Sequence, residues 1–240
     1  MFTMFQFRST LVSVAAVFAL AAVPQAASAV SVSVGQQIRL FDGPGNNGGG
    51  EFNADITPLG TPSPTIDFIT FCLQRNEFFS YGETMWIGGI GPATSNNDPI
   101  SSATAYLYTA FSNGTLVGYD KTTAAKHAES ATALQLAFWY LEQEVTFANN
   151  TFRDAYNNAA LSGNVTLAWQ FIDSGLNSGW TGIGNVRVLN LYGSRTCSNG
   201  TCTYSGHKQD QLVMVPEPGT LALLGLGLLG LGAARRRRTA

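Results

Sequence analysis

Apolar and polar positions alternate with a period of two in "VSVSVGQQIRLF" (residues 30–41) and again from "GNVRVLNLYG" through "DQLVMV" (184–215). Alternation of this kind predicts strands with one buried face. Further strands are expected at 51–57, 65–74 and 83–88, and the Gly- and Asn-rich "DGPGNNGGGEFN" (42–53) reads as a loop. From Ser102 the period becomes helical. "SATAYLYTAF" opens with a Ser N-cap and stops at Asn113-Gly114, and "AESATALQLAFWYLEQEV" (128–145) predicts a longer helix. "TFRDAYNNAAL" (151–161) and "VTLAWQFIDSGL" (165–176) predict two more. The order is strands, four short helices, strands. It implies an α+β fold, a β-sandwich or barrel-like core carrying an inserted helical subdomain at about residues 101–178.

Both ends of the 240-residue chain read as addresses rather than fold. Arg8, an apolar run and the small residues Ala27-Ser28-Ala29 form the pattern of a secretory signal peptide over 1–29, cleaved by signal peptidase. The other end combines Pro216, Glu217 and Pro218, an uncharged Leu/Gly/Ala stretch from Thr220 to Ala234, and Arg235, Arg236, Arg237 and Arg238. As a helix that stretch reaches only ~22 Å, short of the roughly 30 Å hydrocarbon core. Clustered arginines stay cytoplasmic and put the main domain outside. Gly225, Gly227 and Gly230 spell a dinucleotide fingerprint, but no strand precedes them, so that reading is rejected. The tail, 215–240, resembles the PEP-CTERM sorting signal. That resemblance implies a transient inner-membrane anchor, processing by an exosortase, and delivery to the cell surface or extracellular matrix of a Gram-negative bacterium.

Between the two addresses lies one domain, residues 30–214, carrying eight basic and fourteen acidic residues. A net-negative domain with three lysines has no electrostatic footprint for nucleic acid. Cys197 and Cys202 flank an Asn-Gly turn, and in an exported protein they read as a disulfide across a hairpin tip. His127 and His207 lack zinc-site spacing and the oxygen donors of "DGPGNNGGGEFNAD" (42–55) lack EF-hand spacing, so no metal and no cofactor is assigned.

Cys72 remains, in the strand-like "IDFITFCLQ". An odd cysteine in an oxidising compartment is buried, paired between chains, or used. On the 128–145 helix, Leu134, Phe138 and Leu141 form the expected core stripe, and Gln135, Trp139 and Glu142 the stripe beside it. A carboxamide half-buried there must find partners; the ordinary alternative is that it caps a neighbouring backbone group.

"FCL" around Cys72 and "LQLAFW" around Gln135 together resemble the signature of bacterial thioester domains. In that family the cysteine sulfur and the glutamine carbonyl condense and expel ammonia. The resemblance implies a single-use covalent linkage rather than an enzyme, with a ligand amine or hydroxyl ending on Gln135. Phe71, Phe138 and Trp139 are the expected aromatic shields.

Two other readings compete. One is a non-covalent matrix or carbohydrate-binding protein stacking sugars on Trp86, Trp169 or Trp180. The other is a hydrolase with Cys72 as nucleophile and His127, placed in the turn before the helix, as base.

Overall fold

The computed structural model describes residues 30–46, 49–56 and 67–215. Strands β1 (Gln37–Asn46), β2 (Gly49–Asp55), β3 (Phe68–Thr70) and β4 (Met85–Gly91) precede helices α1 (Ser102–Ser112) and α2 (Ala124–Leu141). Then come short strands β5 (Val145–Ala148), β6 (Thr151–Asp154) and β7 (Ala160–Leu161), helix α3 (Val165–Leu176), and the long hairpin β8 (Val186–Ser198) and β9 (Thr201–Met214). Six strands form one antiparallel sheet in the order β3-β2-β1-β4-β8-β9; β5-β6-β7 form a second, small one.

The large sheet does not end in two free edges. Just past β3, Cys72 bridges Gln211 of β9, the Leu212 N–H donates to the Phe71 carbonyl, and the Leu73 N–H donates to the Asp210 carbonyl. First and last strands are thereby sewn together into a barrel, which removes the exposed edge. Two side-chain contacts lock the seam. The Thr70 hydroxyl donates to the Leu212 carbonyl at 2.7 Å, and Tyr108 of α1 places its hydroxyl 2.8 Å from the Ile69 carbonyl and 3.1 Å from that of Leu212.

Ile38, Leu40, Ala54, Met85, Ile87, Leu189, Leu191 and Val213 make one apolar cluster within the strands. A larger cluster joins Phe52, Phe71, Cys72, Leu212 and other strand residues to the three helices. α2 is the centre of that second layer. Every residue from Ser130 to Trp139 is buried, so this helix has no solvent face over ten positions.

Four expectations are corrected. Residues 151–161 form the β6–β7 hairpin, not a helix. Asp154 accepts the N–H groups of Tyr156 and Asn157, and Asn158 takes φ +58°, a turn that no helix continues. The long helix runs four residues earlier than 128–145. Thr123 caps it by accepting the Lys126 N–H, and Gln143, at φ +63°, ends it. The Gly-rich 42–53 stretch is largely hairpin strand, with a bulge between Asp42 and Gly45, because glycine tolerates the positive φ needed at Gly45 and Gly50. Gln135 and Trp139 are fully buried rather than beside the core face, since α2 is covered from both sides.

At the tip of β8–β9, Asn199 and Gly200 take φ +50° and +79°, the two-residue turn that matches strand twist. It sets Cys197 opposite Cys202, and the two are disulfide-bonded. The expected signal peptide and the expected apolar tail helix fall outside the described residues. Among the described residues no helix is long and apolar enough to cross a membrane.

The seam gives a direct prediction. Tyr108→Phe leaves the core volume intact but removes the hydroxyl shared by the Ile69 and Leu212 carbonyls. It should lower the unfolding free energy by about 1–2 kcal/mol, seen as a lower urea midpoint with unchanged slope.

Candidate functional site

Cys72 and Gln135, 63 residues apart, meet where the barrel seam faces α2. The strand segment after β3 fixes the cysteine backbone on β9, and the buried central helix carries the glutamine over it. The Gln135 side chain then makes three bonds. Its Nε2 donates to the Cys72 carbonyl at 2.8 Å, and its Oε1 accepts the Cys72 N–H at 3.1 Å and the Gly50 N–H at 3.3 Å. Cys72 is 0% and Gln135 1% exposed.

Each bond has a local cause. β2 approaches α2 closely because Gly49 lacks a side chain. A Cβ there would lie 2.5 Å from Trp139 Cη2 and 2.7 Å from Gln135 Cγ. Gly50 takes φ +126°, which turns its N–H toward the helix at little steric cost. The next residue, Glu51, anchors β2 from inside the fold. It accepts from Tyr119 Oη at 2.6 Å and faces His127 Nε2 at 2.8 Å and Lys121 Nζ at 3.6 Å.

Two backbone N–H groups on one amide oxygen polarise the carbonyl, and they stand where negative charge would develop if a nucleophile added to the carbon. The candidate nucleophile is the thiol of Cys72, the residue whose backbone holds that amide. Burial pushes the Cys72 thiol far above its ordinary range, so the sulfur is held as S–H. That S–H donates to Gln209 Oε1 at 2.8 Å, and Gln211 Nε2 lies 3.8 Å from the sulfur.

The aromatic residues divide in two. Trp139 packs over Gln135 and Gly49, with the Arg75 guanidinium 5.1 Å from its ring centre. Its indole Nε1 has no hydrogen-bond partner among the described residues. Phe71 and Phe138 meet edge to face at 5.2 Å and continue into Phe111 and Tyr108, within the helix–barrel core.

The hydrolase arrangement is absent from the described geometry. His127 lies in the first turn of α2, not before it, and is committed to Glu51 and the edge of Tyr119; the sulfur's neighbours are glutamines. Of the three tryptophans weighed for sugar stacking, Trp86 lies under Arg195 and Trp169 joins the Tyr140–Phe147–Phe152 cluster. Trp180 is 39% exposed beside Tyr106. Among the described residues no group of three or more His, Cys, Asp or Glu could hold a metal ion.

Sequence reasoning missed Gly49, Gly50, Gln209 and Gln211. The first two were hidden in a run that looked like loop. The glutamines carried a usable signal, a polar pair two positions apart that shares one face of a strand.

A cavity of about 160 Å³ opens next to the site, lined by Leu73, Gln74, Asp98, Glu142, Glu144 and Tyr156 among others. Burial raises the carboxyl pKa values of Glu142 and Glu144, and Asp98 adds repulsion to both.

Residues 215–238 match the PEP-CTERM protein-sorting motif. The motif covers Pro216-Glu217-Pro218 and the four arginines, and suggests an exported, surface- or matrix-associated protein that passes through a membrane-anchored precursor and exosortase processing. No curated protein and no solved structure matches the chain.

Two outcomes are expected. Gly49→Ala should cost about 1–3 kcal/mol by overpacking and change the Trp139 fluorescence, read in one urea titration. Glu142 has a folded-state pKa above its unfolded one, so its contribution is present below the ordinary carboxylate range and is lost as pH rises through the raised value. Glu142→Gln should therefore flatten the decline in stability from acid toward neutral pH, measured as urea midpoints across a pH series.

Proposed function

We propose that the domain captures a nucleophilic partner covalently, through an internal thioester between Cys72 and Gln135, on the cell surface or in the matrix to which its sorting motif directs it. The observation that carries this reading is the Gln135 carboxamide clamped against the Cys72 peptide, its oxygen on two N–H donors and the pair sealed from water. A free amide resists thiols, but a fixed pair gains effective molarities of about 10⁵ M or more.

In the proposed formation step, Cys72 Sγ adds to Gln135 Cδ, and the charge on Oε1 falls on the Cys72 and Gly50 N–H groups. The C–N bond then breaks, and the amide nitrogen leaves as ammonia with the thiol proton. In the capture step a partner amine or hydroxyl adds to the same carbon. The C–S bond breaks, the partner remains on Gln135 as an amide or ester, and Cys72 regains its proton. One domain fires once, so the product is a bond rather than turnover. Trp139, held down by Arg75, and the Phe71–Phe138 pair are the proposed barrier to water.

The alternative, a non-covalent carbohydrate- or matrix-binding module, draws on exposed aromatics. Phe78 and Tyr81 are 68% and 56% exposed, and Tyr81 packs beside Phe79 and Phe52.

Intact mass of the exported protein decides between them. The thioester requires a deficit of one ammonia beyond the disulfide, absent in Cys72→Ala and Gln135→Ala. Methylamine should abolish the deficit and appear on Gln135 in peptide mapping. A full-mass wild type sinks the thioester and leaves the binding module.

A further inference from the structure

Besides Gln135, which holds the Cys72 backbone, the fold buries two carboxamides against the Cys72 sulfur, on an element neither sequence motif includes. Gln209 and Gln211 lie two apart on β9 and both reach the sulfur, Gln211 from directly across the bridge to Cys72. Gln209 is 4% and Gln211 0% exposed. Burying polar amides costs stability unless each finds partners, and leucine would fill the same space.

Each amide is oriented by a second contact. Gln209 Nε2 donates to the Gln74 carbonyl, which turns Oε1 toward the thiol. Gln211 Nε2 donates to the Gln209 carbonyl at 3.3 Å, with Oε1 on the side of the Thr70 hydroxyl 3.3 Å away, which leaves an N–H facing Sγ. The sulfur thus meets one acceptor and one donor.

We infer that Gln209 and Gln211 are positioning residues for the sulfur, one for each of its two states. The inference rests on the thioester reading above. Gln209 accepts the S–H and aims the protonated sulfur before the crosslink forms. Gln211 presents an N–H to the sulfur when the crosslink opens. At that point the partner amine has added to Gln135 Cδ and the C–S electron pair collapses onto Sγ. The N–H meets that charge until the proton lost by the partner nitrogen arrives, restoring the thiol. No other reactant is needed. The donor matters because the site is otherwise hostile to a thiolate, as the raised thiol pKa records.

Two measurements test this, using near-isosteric methionine replacements that keep the packing. The first is the infrared S–H stretch in a Gln135→Ala background, where Cys72 stays a thiol whatever the crosslink does. The band should lie at a hydrogen-bonded frequency, move to the free-thiol position in Gln209→Met, stay put in Gln211→Met, and be retained in Gln209→Glu, which keeps the acceptor. The second uses the chain with Gln135 intact. Gln211→Met should retain the ammonia deficit but open with methylamine about tenfold more slowly, the loss of one modest hydrogen bond in the transition state.

An S–H band unmoved by Gln209→Met, or methylamine opening unchanged in Gln211→Met, overturns the inference while the wild-type deficit keeps the thioester reading. Methylamine found on Gln209 in place of Gln135 overturns it as well. A full-mass wild type removes both together.

Discussion

The structure depends on one side chain. Gln135 spans the gap between the barrel seam and the hairpin β1–β2, bonding the Cys72 peptide through both its carbonyl and its N–H and reaching Gly50 through the same oxygen. A buried amide that satisfies three backbone groups is costly to remove, because each partner would be left dry and unpaired. The same contacts hold the Gln135 amide against the Cys72 backbone and polarise its carbonyl.

What makes the clamp possible is architecture rather than local preference. The barrel closes just beyond β3, so the strand segment bearing Cys72 is held by β9 on one side while α2 lies over it. Closure brings Gln209 and Gln211 to the sulfur, and Tyr108 and Thr70 fasten the joint. On the opposite flank, Glu51 gathers Tyr119, His127 and Lys121, so β2 cannot drift away from the helix. Gly49 finishes the fit by leaving space for Trp139 and the Gln135 stem, and Gly50 gives its N–H to the Gln135 oxygen.

The acidic cavity beside Leu73 and Gln74 belongs to the same neighbourhood, and burial, with repulsion from Asp98, raises the carboxyl pKa values of its Glu142 and Glu144. Such a wall would tolerate a cation or a polar neutral group better than an anion. The sorting motif at the C-terminal end completes the context, since it suggests an exported, surface- or matrix-associated protein.

By itself the sequence determined a good deal: two strand-rich regions around a helical one, the Asn-Gly hairpin with its disulfide, the sorting motif, and the odd pair Cys72 and Gln135. These features are written in short-range periodicity, turn chemistry and spacing, which act over a few residues. It misled where a short polar stretch had two local options, as in 151–161, where Asp154 and the asparagines chose turns over helix. Only the tertiary structure decided that α2 is buried all round from Ser130 to Trp139, that the sheet closes on itself, that Gln209 and Gln211 converge on Cys72, and that Gly50 meets Gln135. Those facts concern residues as much as 142 positions apart, and contact over such distances is set by how layers pack, which no local pattern encodes.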